Sequence, residues 1–348
     1  MITPKDRLIN ALNGESVDRP PCICPGGMMN MITAEIMHQL GNQWPEAHQN
    51  PQAMAGLALG VHRLSGIENL GVPFCMTVEA EAMGAKVNLG NMVTEPRVID
   101  YPLSQMQDWS SLPDFNPETG RMGMVSAAVN ILAENRFGLP VIANLTGPIS
   151  LATSLIEPMT FFKAMGKQAQ DVHAFLSFIT NNLLVYGKAL LKAGAQVITI
   201  ADPSATGEIL GPRRFSEFAL PYLNLLLEGL KDDSEASMVH ICGQLHSIFP
   251  ELNQLKTGAI SIDSATSVAK LKTALFDKII VGNVSTQLLQ NGQPLQIKAS
   301  ALNCLNKGAT VLSPACGIST LTPLSNLKAM VDAVHEFNYQ NSGERGND

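Results

Sequence analysis

Short runs of β-branched and other apolar residues recur along the chain at about 21 to 24, 71 to 77, 139 to 145, 195 to 202, 237 to 242, 259 to 263, 278 to 284 and 309 to 316. Between them lie longer stretches whose apolar positions return every three or four residues. This alternation marks repeated strand–helix units and a parallel sheet. Eight runs match the strand count of a (β/α)8 TIM barrel, and no glycine-rich dinucleotide turn follows the first of them. An α/β fold of the TIM-barrel type is therefore expected. A doubly wound open sheet stands as the alternative, because periodicity does not distinguish closed from open parallel sheets.

Residues 4 to 13 are expected to be helical, with Thr3 as cap, Pro4 at the first helical position and Asp6 in the first turn. Amphipathic helices are expected at 212 to 230, 268 to 276, 295 to 306 and 323 to 337, with Pro221 kinking or splitting the first. The early spacers are longer: 30 to 65 reads as two helices, and 84 to 101 as an extended hairpin turning at Gly90-Asn91. Insertions of this kind sit on a barrel's rim. Residues 1 to 340 read as a single catalytic barrel domain with an N-terminal helical extension, and 341 to 348 as a disordered tail.

Composition narrows the function classes. Hydrophobic residues at 45% and charged residues at 15% supply enough aliphatic material for one large core. A net charge of -7, with no long run among the 23 basic residues, argues against nucleic acid as a partner. Lys5, Asp6 and Arg7 stand where a signal peptide would need an apolar core, and no stretch approaches the ~18 apolar residues of a membrane span. No membrane association and a cytoplasmic location are expected. Six cysteines in a chain of this size are too few for a disulfide scaffold. Cys22, Cys75 and Cys304 read as core thiols, Cys24 is less clear, and Cys242 and Cys316 carry the chemical interest.

Met238-Val-His240-Ile-Cys242-Gly243 puts a histidine and a cysteine two residues apart at the end of a predicted strand. Residues i and i+2 of a strand face one side, here the barrel mouth, about 6 to 7 Å apart along the backbone. Cys316, in Ser313-Pro-Ala-Cys316-Gly317, ends the last predicted strand, and all strand ends of a closed barrel open on one face. One imidazole and two thiolates suit zinc, and three protein ligands leave a position for a reacting molecule. A core histidine with two unrelated buried cysteines is the plainer alternative; the third ligand at the end of the last run weighs against it.

Several segments together resemble the uroporphyrinogen decarboxylase superfamily, and within it the zinc-dependent methylcobamide:coenzyme M methyltransferases of methanogens. They are Asp18-Arg19-Pro20-Pro21, Pro73-Phe74 through Glu79-Ala-Glu81-Ala-Met83-Gly84, Leu145-Thr-Gly147-Pro148, Ala201-Asp202-Pro203, His240-Ile-Cys242, Gly282-Asn283-Val284 and Pro314-Ala-Cys316-Gly317. The resemblance implies an eight-stranded barrel holding one zinc ion on His240, Cys242 and Cys316. It also implies the reaction: a methyl group passes from the cobalt of a corrinoid protein to the thiol of coenzyme M, in methanogenesis and in the methanol pathway. The corrinoid then belongs to the partner protein. The decarboxylases of the superfamily carry an Arg-x-x-Gly-Arg segment after the first strand for porphyrin carboxylates; here Cys24-Pro-Gly-Gly-Met28-Met-Asn-Met31 replaces it, with no charge between Arg19 and Glu35.

Two other readings share the triad. One is a zinc thiol methyltransferase with another acceptor such as homocysteine; the other is a corrinoid-protein-binding module in which zinc is structural. Around the mouth, Glu79, Asn144, Asp202, Asp263 and Asn283 are candidates for contacting substrate or backing the metal-bound histidine, with helix capping as the competing role. The Gly26-Gly27 turn, or amides near Gly147 and Asn283, are candidates for the sulfonate of coenzyme M. Met28, Met29 and Met31 read equally as a docking surface for the corrinoid or as core, and His246 as a solvent-facing residue at a helix start.

Overall fold

In a computed structural model of the chain, residues 2–135 and 137–337 are described; the expected disordered tail lies outside them. The strands are β1 (Leu70–Val72), β2 (Lys86–Asn88), β3 (Arg97–Asp100), β4 (Val141–Thr146), β5 (Val197–Ala201), β6 (Ala236–Ile241), β7 (Ala259–Ile262) and β8 (Ile279–Val281). Six of them form a parallel sheet in the order β1-β4-β5-β6-β7-β8, and helices fill the crossovers between them.

Two extended segments, 310–314 and 21–24, complete the ring. Val311 bridges Val281 and Leu312 bridges Cys22, both in parallel sense. Ile23 donates to the Leu312 carbonyl at 2.9 Å, and the Glu68 amide donates to the Cys22 carbonyl at 2.9 Å. Neither segment can form a regular strand, because Pro20, Pro21, Pro25 and Pro314 lack the amide protons a ladder needs. Side chains substitute for the missing backbone pairs at the seam: Asn69 accepts from the Cys24 amide and donates to its carbonyl, both at 2.8 Å, while Glu68 accepts from the Cys22 amide at 3.0 Å. The expected eight staves are present, six as strands and two as irregular segments, of which 310–314 is held by backbone bonds and 21–24 is also stitched by side chains.

The N-terminal helix, Pro4–Leu12, is capped by Thr3 as expected and closes the bottom of the barrel. Its Leu8, Ala11 and Leu12 pack against the inward residues Ile23, Ile142, Val197, Met238, Ala259, Val281 and Val311. The Asp18-Arg19-Pro20-Pro21 segment anchors this plug. Buried Glu68 pairs with Arg7 at 3.0 Å and with Arg19 at 2.7 Å, and Arg7 also holds Asp18 at 2.6 Å. With one end plugged, only the end at the strands' carboxyl termini is left for a site.

Helices Ala34–Leu40 and Pro51–Ser65 and the antiparallel β2–β3 hairpin confirm the two rim insertions. The hairpin tip reaches the loop after Cys316, where the Thr320 hydroxyl donates to the Val93 carbonyl at 3.2 Å. The helix expected over 212 to 230 is broken into Gly207–Arg214, a π-turn at Phe215–Ala219 and Leu220–Leu230. Gly211 kinks the first piece at φ 64, and Pro221, which cannot donate, opens the last. One expectation needs correcting: the helix Ala169–Lys192 is long and apolar enough to cross a membrane by length and composition. Its most apolar window is 56% buried inside the protein, which is how a core helix passes that test.

Candidate metal centre at the barrel mouth

On β6, Met238 and His240 share the inward face; Met238 belongs to the plugged core and His240 stands above it. Cys242 follows just past the strand end, and Cys316 arrives from the 310–314 stave. His240 Nε2 lies 3.2 Å from Cys242 Sγ, and the two sulfurs lie 3.4 Å apart. One donor atom from each of the three residues fits within 4.8 Å of the others. His240 is fully buried, whereas both cysteines are partly exposed, so the cluster is closed on the imidazole side and open toward the mouth.

These separations suit zinc. With Zn–S of roughly 2.3 Å and Zn–N of roughly 2.0 Å, tetrahedral ligands stand roughly 3.5 to 3.8 Å apart. Cys242 needs to move from the imidazole nitrogen and from the Cys316 sulfur by only a few tenths of an ångström. Without a metal, the hydrogen bond from Cys242, aided by His240 and opposed by burial, lowers the pKa of the Cys316 thiol. Sharing its proton with Cys316, and then burial, raise the Cys242 thiol correspondingly.

Sequence reasoning missed the group behind the imidazole. Ser261 on β7 is the direct register partner of His240, and its Oγ lies 2.9 Å from His240 Nδ1. Ser261 Oγ in turn donates to Met29 Sδ at 3.5 Å. The available signal was a lone hydroxyl in the apolar run Ala259-Ile-Ser261-Ile, two residues from inward-facing Ala259.

The other named candidates lie around this centre but do not join the three-donor cluster. Glu79, fully enclosed, accepts from the Thr146 amide at 2.8 Å and its hydroxyl at 3.0 Å, and burial raises its pKa. Asn144 donates to the carbonyls of Pro25 at 2.7 Å and Val72 at 3.0 Å, bracing the 21–24 stave against β1. Asp202 accepts from the Ile149 amide, the Ser150 amide and the Ser150 hydroxyl at 3.2, 2.8 and 2.7 Å. It therefore caps the helix Pro148–Leu155 of the neighbouring crossover, not the one that follows it in sequence. Asp263 accepts from the Ala265 amide at 2.7 Å and remains close enough to Cys242 to oppose its ionisation. Asn283 donates to the Asp263 and Thr266 carbonyls at 3.0 and 2.9 Å and so holds the loop after β7.

The glycine turn has a packing role. Gly26 and Gly27 have φ of 92° and 61°, and a Cβ on Gly27 would lie 2.6 Å from Asn144 Cβ. Their amides are already engaged, Gly26 with the Met29 carbonyl at 3.2 Å and Gly27 with that of Pro73 at 2.7 Å. The Gly147 amide likewise donates to Ala201 at 2.7 Å. Met29 and Met31 are fully buried, which makes them core and corrects the docking reading for both; Met28 is half-buried. Cys24 is buried, its thiol donates to the Met29 carbonyl at 3.2 Å, and burial raises its pKa. His246 is exposed as expected.

A plugged parallel β/α barrel that gathers one imidazole and two thiols at its open mouth, a set that could hold a metal ion, defines the class of fold and site. The chain belongs to the uroporphyrinogen decarboxylase (URO-D) family, which it matches over residues 3–337. It is 34% identical to the methylcobamide:CoM methyltransferase MtbA of Methanosarcina mazei, over 97% of this chain and 99% of that protein. It is also 34% identical to the methylcobamide:CoM methyltransferase MtaA of Methanosarcina barkeri, over 96% and 98%. A solved methyltransferase from Methanosarcina mazei superposes with a TM-score of 0.90 at 33% identity, covering 97% of this chain and 99% of that one.

Proposed function

We propose that this chain is a methyltransferase that moves a methyl group from a methylated corrinoid protein to the thiol of coenzyme M, with a zinc ion held by His240, Cys242 and Cys316. The observation that carries the reading is the three-donor cluster, open on one side, in a chain that aligns from end to end with coenzyme M methyltransferases. A structural zinc site closes with a fourth protein ligand, and among the described residues the cluster offers three.

When bound, zinc supplies Lewis acidity that favours the ionised form of an acceptor thiol at neutral pH. The protein residues do the rest. His240, enclosed on β6, fixes one corner of the site, and the two half-exposed sulfurs present the open side to the mouth. In the transfer, the acceptor sulfur forms a bond to the methyl carbon as the carbon–cobalt bond breaks, and the electron pair stays on cobalt. No general base is needed at the carbon. Exposed Val93 on the hairpin tip and Leu321 beyond Cys316, joined through Thr320 and the Val93 carbonyl, give the corrinoid protein apolar surface beside the mouth. The methanol pathway, a cytoplasmic location and one catalytic domain over residues 1 to 340 complete the reading.

The test is methyl transfer from free methylcobalamin to a panel of thiols, with and without zinc. Zinc-dependent methylation of coenzyme M, with homocysteine left unmethylated, is expected. Methylation of homocysteine in preference would move the chain to the other acceptor class, and no transfer to any thiol would leave only the binding-module reading.

A further inference from the structure

We propose that Ser261 is the positioning residue of the metal centre: its hydroxyl accepts the Nδ1 proton of His240 and so presents Nε2 as a lone pair to the cation. This inference rests on reading the three-residue cluster as a metal centre, and on nothing about the acceptor thiol.

A neutral imidazole has one N–H and one lone pair, and the partner of one nitrogen decides which atom is left to bind metal. Here Nε2 faces the Cys242 sulfur at 3.2 Å and Nδ1 faces the Ser261 oxygen at 2.9 Å. A serine hydroxyl can donate or accept, so Ser261 alone would not make the choice. The choice is made one atom further out, at Met29 Sδ, 3.5 Å from the Ser261 oxygen. A thioether can only accept. With its proton directed at sulfur, the serine oxygen offers His240 lone pairs alone, and Nδ1 must donate.

Met29, Ser261 and His240 are all fully buried, so bulk water does not compete for the relay. Backbone register fixes its geometry, because Ser261 and His240 are paired directly across β6 and β7. Among the described residues no carboxylate takes the place of the serine: Asp202 is turned to Ile149 and Ser150, Glu79 to Thr146, and Asp263 to Ala265. A neutral acceptor also suits the charge of the site. Two thiolates already neutralise a divalent cation, so a buried carboxylate behind the imidazole would add uncompensated charge.

The experiment reads zinc affinity by chelator competition, with zinc alone as the probe and neither methyl donor nor acceptor present. Ser261→Ala, which keeps the packing and removes the hydroxyl, is expected to weaken zinc binding by about 10- to 100-fold. Ser261→Thr, which keeps the hydroxyl, is expected to restore most of that loss. In the zinc-loaded parent chain, nitrogen NMR of labelled histidine should place a proton on His240 Nδ1, protected from exchange. Parent-like zinc affinity in Ser261→Ala, an equal loss in Ser261→Thr, or an unprotected Nδ1 would overturn the assignment. Should Ser261→Ala fail to fold, the exchange measurement on the unchanged chain decides. Because no methyl transfer is read, a wrong acceptor thiol would not alter either result.

Discussion

The sulfurs of Cys242 and Cys316 stand 3.4 Å apart although 74 positions separate them along the chain. That is well beyond the roughly 2.05 Å of a disulfide bond and near the spacing of two ligands on one ion. Both thiols are partly exposed, whereas Cys22, Cys24, Cys75 and Cys304 are buried.

Thiol chemistry should therefore divide the six cysteines two against four. In the native, metal-free chain a bulky thiol reagent is expected to modify Cys242 and Cys316 rapidly and the four buried ones only after urea. Zinc added beforehand should suppress the fast phase. A fast count that ignores zinc would contradict the metal centre.

Removal of any ligand should cost both metal and turnover. His240→Ala, Cys242→Ala and Cys316→Ala are each expected to lose most zinc on dialysis and to slow methyl transfer by more than about 100-fold. Zinc per chain and the rate with methylcobalamin check this. Activity that survives in any one of the three would remove that residue from the centre.

Asp202 predicts a pH dependence of stability. Burial lifts its carboxyl to about 6, against the hydrogen bonds from Ser150 and Ile149 that favour ionisation. A folded pKa above the unfolded one means a stabilising contribution that is complete below about pH 4 and is lost as pH rises through about 6. The span is of the order of 3 kcal/mol. Asp202→Asn retains an acceptor for the Ser150 amide and should lack this component of the pH dependence. Urea unfolding of both metal-free chains from pH 4 to 7 measures the difference, and parallel curves would refute the assignment.

Glu68 should be the most costly polar residue to delete at the barrel seam. It receives Arg7, Arg19 and the Cys22 amide at 2.7 to 3.0 Å in a buried setting. Glu68→Ala strands the Arg19 guanidinium and the Cys22 amide and leaves Arg7 with Asp18 alone, and a loss of about 3 to 5 kcal/mol is expected in urea denaturation. Glu68→Gln, which keeps one acceptor, should lose less.

The strand–helix alternation, the hairpin over 84 to 101, the Thr3 cap and the pairing of His240 with Cys242 were all legible in the sequence. Each depends on a repeat of two or 3.6 residues, or on contacts a few residues apart, which covalent geometry imposes wherever the residues occur. Cys316 was reachable only by combining a strand end with the closure of a barrel, or by likeness to known proteins. Ser261 behind His240, Asp202 capping a neighbouring crossover, and Asn69 and Glu68 stitching the seam where prolines remove amide donors were decided by the tertiary structure alone. Those partners are set by the register between strands and the angle at which the sheet closes. A chain read in one dimension contains neither quantity, because both emerge only when distant segments share one core.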